Sequence, residues 1–226
     1  AHAAYGGIGM AIFFEIPLIL GTALFSTAAA VVMAAVTLKA RHRSDTIIGV
    51  IWATGMAIGI ILIDLTPGYN VDLMSYLFGS ILAVPRADLW MMLGLTFVIL
   101  VFVTFFYKDI LALSYDEEFA RLRNVPVKRL YFFQIVLLAL SIVLIIRVVG
   151  LILVIALLTI PPFITERFAK SVFTMMAGST LLGTVFSVSG LFLAFRFDLT
   201  SGASIILVAR AFFFLFLLAD RIFGRS

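Results

Sequence analysis

With 226 residues, 64% of them hydrophobic, and a mean hydropathy of +1.23, the chain reads as an all-α polytopic membrane protein. It has no cysteine, which excludes disulfides and thiolate metal sites. Its net charge of +4 is no nucleic-acid footprint, because the basic residues sort by loop.

In chain order, the start Ala1-His2-Ala3 resembles neither an initiator region nor a signal peptide, and Gly-rich Ala3–Phe14 is too short to span a bilayer. An N-terminal segment with at least one helix is therefore expected ahead of residue 1. Charge-free runs of spanning length follow at Ile16–Leu38, Thr46–Ile63, Leu89–Tyr107, Leu130–Ile146, Val148–Thr165 and Ser171–Phe195. A last run, Leu199–Ala219, is interrupted only by Arg210. Helices are the expected form, since backbone polar groups in lipid must pair within their own segment. Seven or eight transmembrane helices result, the count depending on Leu73–Val84. That dozen apolar residues, ended by Pro85, is either a short crossing or a re-entrant half-helix. The half-helix is preferred, because another crossing would put the basic Lys108–Arg129 segment outside. The Pro-Gly turn Asp64–Asp72 is placed on the outer side, Arg147–Gly150 makes a tight turn, and Pro161-Pro162 breaks its helix. The pair Gly55 and Gly59 lets helices approach closely.

Lys108–Arg129 holds nine of the chain's 16 basic and 12 acidic residues. It is too polar to cross a membrane and too orderly for a spacer. Ser114 is read as a helix N-cap, with Glu117 completing a capping box. Acids crowd the first turn, Arg121 and Arg123 the last, and Asn124 and Pro126 stop the helix. Tyr115, Phe119 and Leu122 recur at i, i+4 and i+7, an apolar face with nothing in its own loop to cover it. The segment is thus a docking helix for a soluble partner. Placing it in the cytoplasm puts 12 of the 16 Lys and Arg inside and leaves Arg86, Arg147 and Arg196 outside.

Four stretches in the right order carry a resemblance that covers nearly the whole chain. Tyr115–Val127 resembles a D-x-x-x-A-x-x-x-G loop, with Asn124 in place of Gly. Val148–Pro162 resembles V-G-x-L-L-V-x-A-L-L-x-I-P-A, with Pro162 in place of Ala. Phe197–Val208 resembles D-x-P-S-G-A-x-I-V-L, with Thr200 in place of Pro. Pro67–Leu82 resembles D-L-x-S-x-L-F-G-x-I-L. All belong to permease subunits of the ABC-3 family, importers of zinc, manganese or iron. The resemblance implies a single permease domain over residues 1–226 with a type II (BtuC-like) fold, a coupling segment at about 108–129, and a homodimer in a prokaryotic plasma membrane. It also implies a cytoplasmic ATPase partner, an extracytoplasmic metal-binding protein, no resident cofactor, and a divalent metal ion as cargo. Tyr115, Glu117, Phe119, Arg121, Leu122 and Arg123 would then touch the ATPase.

His2 stands where the family's D-x-x-S-H-A-x-x-P-G motif has its histidine, which makes it the candidate transit ligand; the motif's Asp would fall ahead of residue 1. His42 belongs to a basic loop. Asp64 and Asp72 are outer-side candidates for attracting cations or meeting the binding protein, with turn capping as the alternative. Glu15 is expected at an interface, and Asp198 as a cap of the last helix. Arg210 is anomalous: a cation at membrane depth is costly and would repel a divalent ion, so an acid or helix-end carbonyls at a subunit interface are its expected partners. A permease for a metal chelate, such as a siderophore or cobalamin, is the runner-up. No phosphate-binding G-x-x-x-x-G-K-[ST] loop and no H-E-x-x-H or G-x-S-x-G set occurs, so the chain reads as a transport subunit without chemistry of its own.

Overall fold

Apolar runs this long satisfy their backbone only as helices, and the computed structural model is helical throughout its described residues, 4–39, 44–67, 79, 81 and 84–223. Nine helices occur among them: α1 (Ala4–Phe13), α2 (Leu18–Lys39), α3 (Ser44–Asp64), α4 (Arg86–Tyr115), α5 (Glu117–Leu122), α6 (Val127–Val149), α7 (Leu151–Glu166), α8 (Val172–Phe197) and α9 (Ser201–Phe223). Five of these, α2, α4, α6, α8 and α9, are long and apolar enough to cross a membrane; α1, α3 over Ile48–Asp64, and α7 are shorter apolar helices. Leu73–Val84 lies outside the described residues except for Gly79, Ile81 and Val84.

The chain divides into two compact units, Ala1–Val71 with Pro85–Ile145, and Asp72–Val84 with Ile146–Ser226. In the first, α1 packs against both α2 and α3. Glycine makes this possible. A Cβ at Gly6 would stand 2.8 Å from the Gly55 carbonyl oxygen, and one at Gly59 would stand 2.5 Å from that of Tyr5. The backbones therefore touch, as the Gly55/Gly59 spacing predicts. Elsewhere in this unit Phe102 of α4 joins Leu130 and Leu137 of α6 in a core flanked by Ile99 and Leu113.

In the second unit α7, α8 and α9 pack on one another around Ile164, Phe186, Val208 and Ala209. A single residue, Gly150, links α6 to α7 with φ 82 and ψ 160, a conformation essentially restricted to glycine. Gly79, itself at φ 68, lies against Val149 and Gly150 so closely that any Cβ there would enter their backbone.

Three local expectations are corrected. The expected break at Pro161-Pro162 does not occur, and α7 runs through both prolines to Glu166. Proline's fixed φ suits a helix, and its cost is the missing N–H together with crowding of the carbonyl four residues back. The last turn is fastened by the Thr165 hydroxyl, which lies 2.9 Å from the Pro161 carbonyl and 2.7 Å from the Ser179 hydroxyl. The span expected to end at Tyr107 continues as helix through Lys108 and Asp109 to Tyr115, because no breaker precedes Asp116. Asp198, expected to cap the last helix, instead ends α8 in the left-handed conformation, φ 53 and ψ 46, its N–H bonded to the Ala194 carbonyl.

Candidate coupling surface and ion path

The 30 residues of α4 make a helix about 45 Å long, against about 30 Å of bilayer hydrocarbon, so its polar final turns reach beyond lipid. It stops at Asp116, whose extended backbone (φ −150, ψ 104) turns the chain. Asp116 is the N-cap of α5: one carboxylate oxygen accepts from the N–H groups of Glu118, at 2.9 Å, and Phe119, at 3.1 Å. Ser114, expected to be that cap, instead lies in the last turn of α4 and donates to the Ile110 carbonyl at 2.8 Å. Asp116 prevails because an ionised carboxylate accepts two N–H bonds more strongly than a neutral hydroxyl.

The far end of α5 closes as the sequence predicts. Asn124 takes φ 58. Its N–H bonds to the Arg121 carbonyl and that of Val125 to Ala120, both at 3.0 Å, which is the Schellman arrangement. Ala120, between these ends, is fully buried. The D-x-x-x-A-x-x-x-N pattern thus has a physical reading: a cap, a contact without room for a larger side chain, and a left-handed stop.

The apolar side chains are exposed, Tyr115 at 79%, Phe119 at 50% and Leu122 at 84%. They do not share one helix as the spacing suggested, since Tyr115 ends α4 while Phe119 and Leu122 belong to α5. Polar groups frame them. Glu117 forms an ion pair with Arg121 one turn on, and the Arg123 guanidinium lies 5.7 Å from the Phe119 ring centre.

The other candidates are dispersed. His2, His42 and Asp72 lie outside the described residues, among which no group of three His, Cys, Asp or Glu could hold a metal ion. Asp64 is the exposed last residue of α3. Glu15 is exposed in the α1–α2 turn, where it takes the left-handed φ of 53 that ends α1. Arg210 is exposed midway along α9, and among the described residues nothing forms an ion pair or hydrogen bond with it. Sequence reading missed Asp88, only 4% exposed in the first turn of α4. An acid just after Pro85 looks like ordinary helix-start chemistry, and no pattern announced its burial.

Five helices long and apolar enough to cross a membrane, with one short charged helix between α4 and α6, define a multi-pass membrane protein. The chain belongs to the ABC 3 transport family, whose model matches residues 1–220. It is 51% identical over 209 residues to an uncharacterized membrane protein of Synechocystis sp., covering 92% of this chain and 74% of that one. It is 34% identical over 222 residues to the manganese transport system membrane protein MntC of Listeria monocytogenes, covering 98% of this chain and 79% of the relative. Among solved structures it is similar to PsaBC from Streptococcus pneumoniae in complex with Fab, with a TM-score of 0.80, 32% identity, and 95% of this chain and 77% of that one covered. The family and the apolar helices make it a multi-pass protein of a prokaryotic plasma membrane.

Proposed function

We propose that the chain is the membrane-spanning subunit of an ATP-driven importer of divalent transition-metal ions, with manganese as its cargo ahead of zinc and iron. The observation that carries this reading is α5, a helix capped at both ends that leaves Phe119 and Leu122 uncovered. Stable exposure of such side chains beside an ion pair suits insertion into a groove of a soluble subunit, with Arg121, Arg123 and Glu117 at the rim. That subunit is an ATPase, and closure of an ATPase pair moves α5 and switches access to the ion path. Two permease copies supply two such helices, and an extracytoplasmic binding protein delivers the ion. The manganese preference is supported by the similarity to the Listeria manganese system protein.

The test is uptake of radioactive manganese by the permease–ATPase complex in proteoliposomes supplied with its extracytoplasmic binding protein, with ATP inside or omitted. ATP-dependent uptake, reduced by excess zinc or iron salt and indifferent to a ferric siderophore or cobalamin, is the expected result. Competition by the chelate in place of the free ion would move the cargo to the chelate class.

A further inference from the structure

In the second unit, a groove of about 470 Å³ runs between α7 and α8 in the middle of the 26-residue α8. Its α8 wall carries Thr180, Thr184 and Ser187. Each hydroxyl gives its proton to the carbonyl four residues back, Thr180 to Met176 at 2.9 Å, Thr184 to Thr180 at 2.8 Å and Ser187 to Gly183 at 2.8 Å. A hydroxyl has one proton, so these oxygens offer the groove lone pairs only. The α7 wall carries Leu157, Leu158 and Pro162. Pro161 and Pro162 have no N–H, which removes the ordinary helical donors of the Leu157 and Leu158 carbonyls. The α8 wall therefore offers acceptors without donors, beside a stretch of α7 in which two carbonyls lose their ordinary helical donors, within a protein that is 64% hydrophobic.

A lipid chain gives such oxygens nothing. Water and hard cations suit them. The groove holds no carboxylate, so an ion there is held weakly enough to leave, as conduction requires. Resting on the importer reading above, we propose that this groove is a stretch of the cation's path, where neutral hydroxyl and carbonyl oxygens replace part of the ion's water shell.

These 226 residues contain no cysteine, which makes single-cysteine labelling direct. In the complex with its ATPase and binding protein, the double variant Thr180→Val/Thr184→Val is expected to lower initial manganese uptake at least tenfold, while Thr180→Ser/Thr184→Ser retains it. Thr184→Cys should react with a water-soluble cationic thiol reagent, more slowly when manganese is present. Phe192→Cys, at a position 67% exposed on the same helix, should react only with a lipid-soluble one. Wild-type uptake with unaltered valine variants overturns the groove and leaves the importer reading standing. So does a Thr184→Cys that is as unreactive as Phe192→Cys, or that forms a disulfide with a second copy. A wild-type complex that moves no ion overturns both.

Discussion

Two connections in this chain join long helices by opposite means. Between α4 and α6 the chain uses residues 116–126, closing a small helix with Asp116 at one end and Asn124 at the other, and leaving Phe119 and Leu122 exposed. Between α6 and α7 it uses Gly150 alone, buried and pressed against Gly79. The first connection is held by local hydrogen bonds, so its outward side chains are free to serve a partner. The second is held by backbone contact, so it tolerates no added atom. Substitutions at the first should alter assembly with little effect on folding; substitutions at the second should do the reverse.

The largest effect is expected from Gly150→Ala, which imposes about 1–3 kcal/mol of backbone strain. Thermal unfolding in detergent should show a clear loss of stability, with complex formation following folded protein. A wild-type melting temperature would mean that the turn relaxes freely. Next, Phe119→Asp or Leu122→Asp should abolish co-purification with the ATPase or uncouple uptake from hydrolysis, at unchanged melting temperature. Transport surviving both changes would remove the docking role of α5.

Asp116→Ala should cost about 1 kcal/mol of local stability. Hydrogen exchange would then rise at the amides of Glu118 and Phe119, while Ser114→Ala leaves it unchanged. The Glu117–Arg121 pair is worth only about 0.2–0.5 kcal/mol, so Glu117→Gln should lower ATPase affinity slightly and fade into wild type in high salt. The smallest change concerns Arg210→Leu, expected to leave the order of competing metal ions unaltered; a switch in that order would place the guanidinium on the ion path.

Much of the docking segment was legible in the sequence, since charge, capping residues and a left-handed stop are all local. The position of its start was not. Ser114 and Asp116 are both good caps, and the choice between them depended on how far α4 continued out of the apolar run. The same limit explains Pro161-Pro162: a proline pair reads as a break, yet the helix runs on to a last turn where Thr165 meets a hydroxyl fourteen residues further along, Ser179. Asp88 gave no signal because burial is a property of neighbours.

By itself the sequence determined the class of protein, the helical form of its segments, the family resemblance and the polar helix between α4 and α6. Each follows from the composition or chemistry of contiguous residues. The tertiary structure decided which glycines bring backbones together, that Gly79 meets the turn at Gly150, and that Leu157, Leu158 and Pro162 share a groove with Thr180 and Thr184. Those pairings join residues distant along the chain, and only packing brings them together.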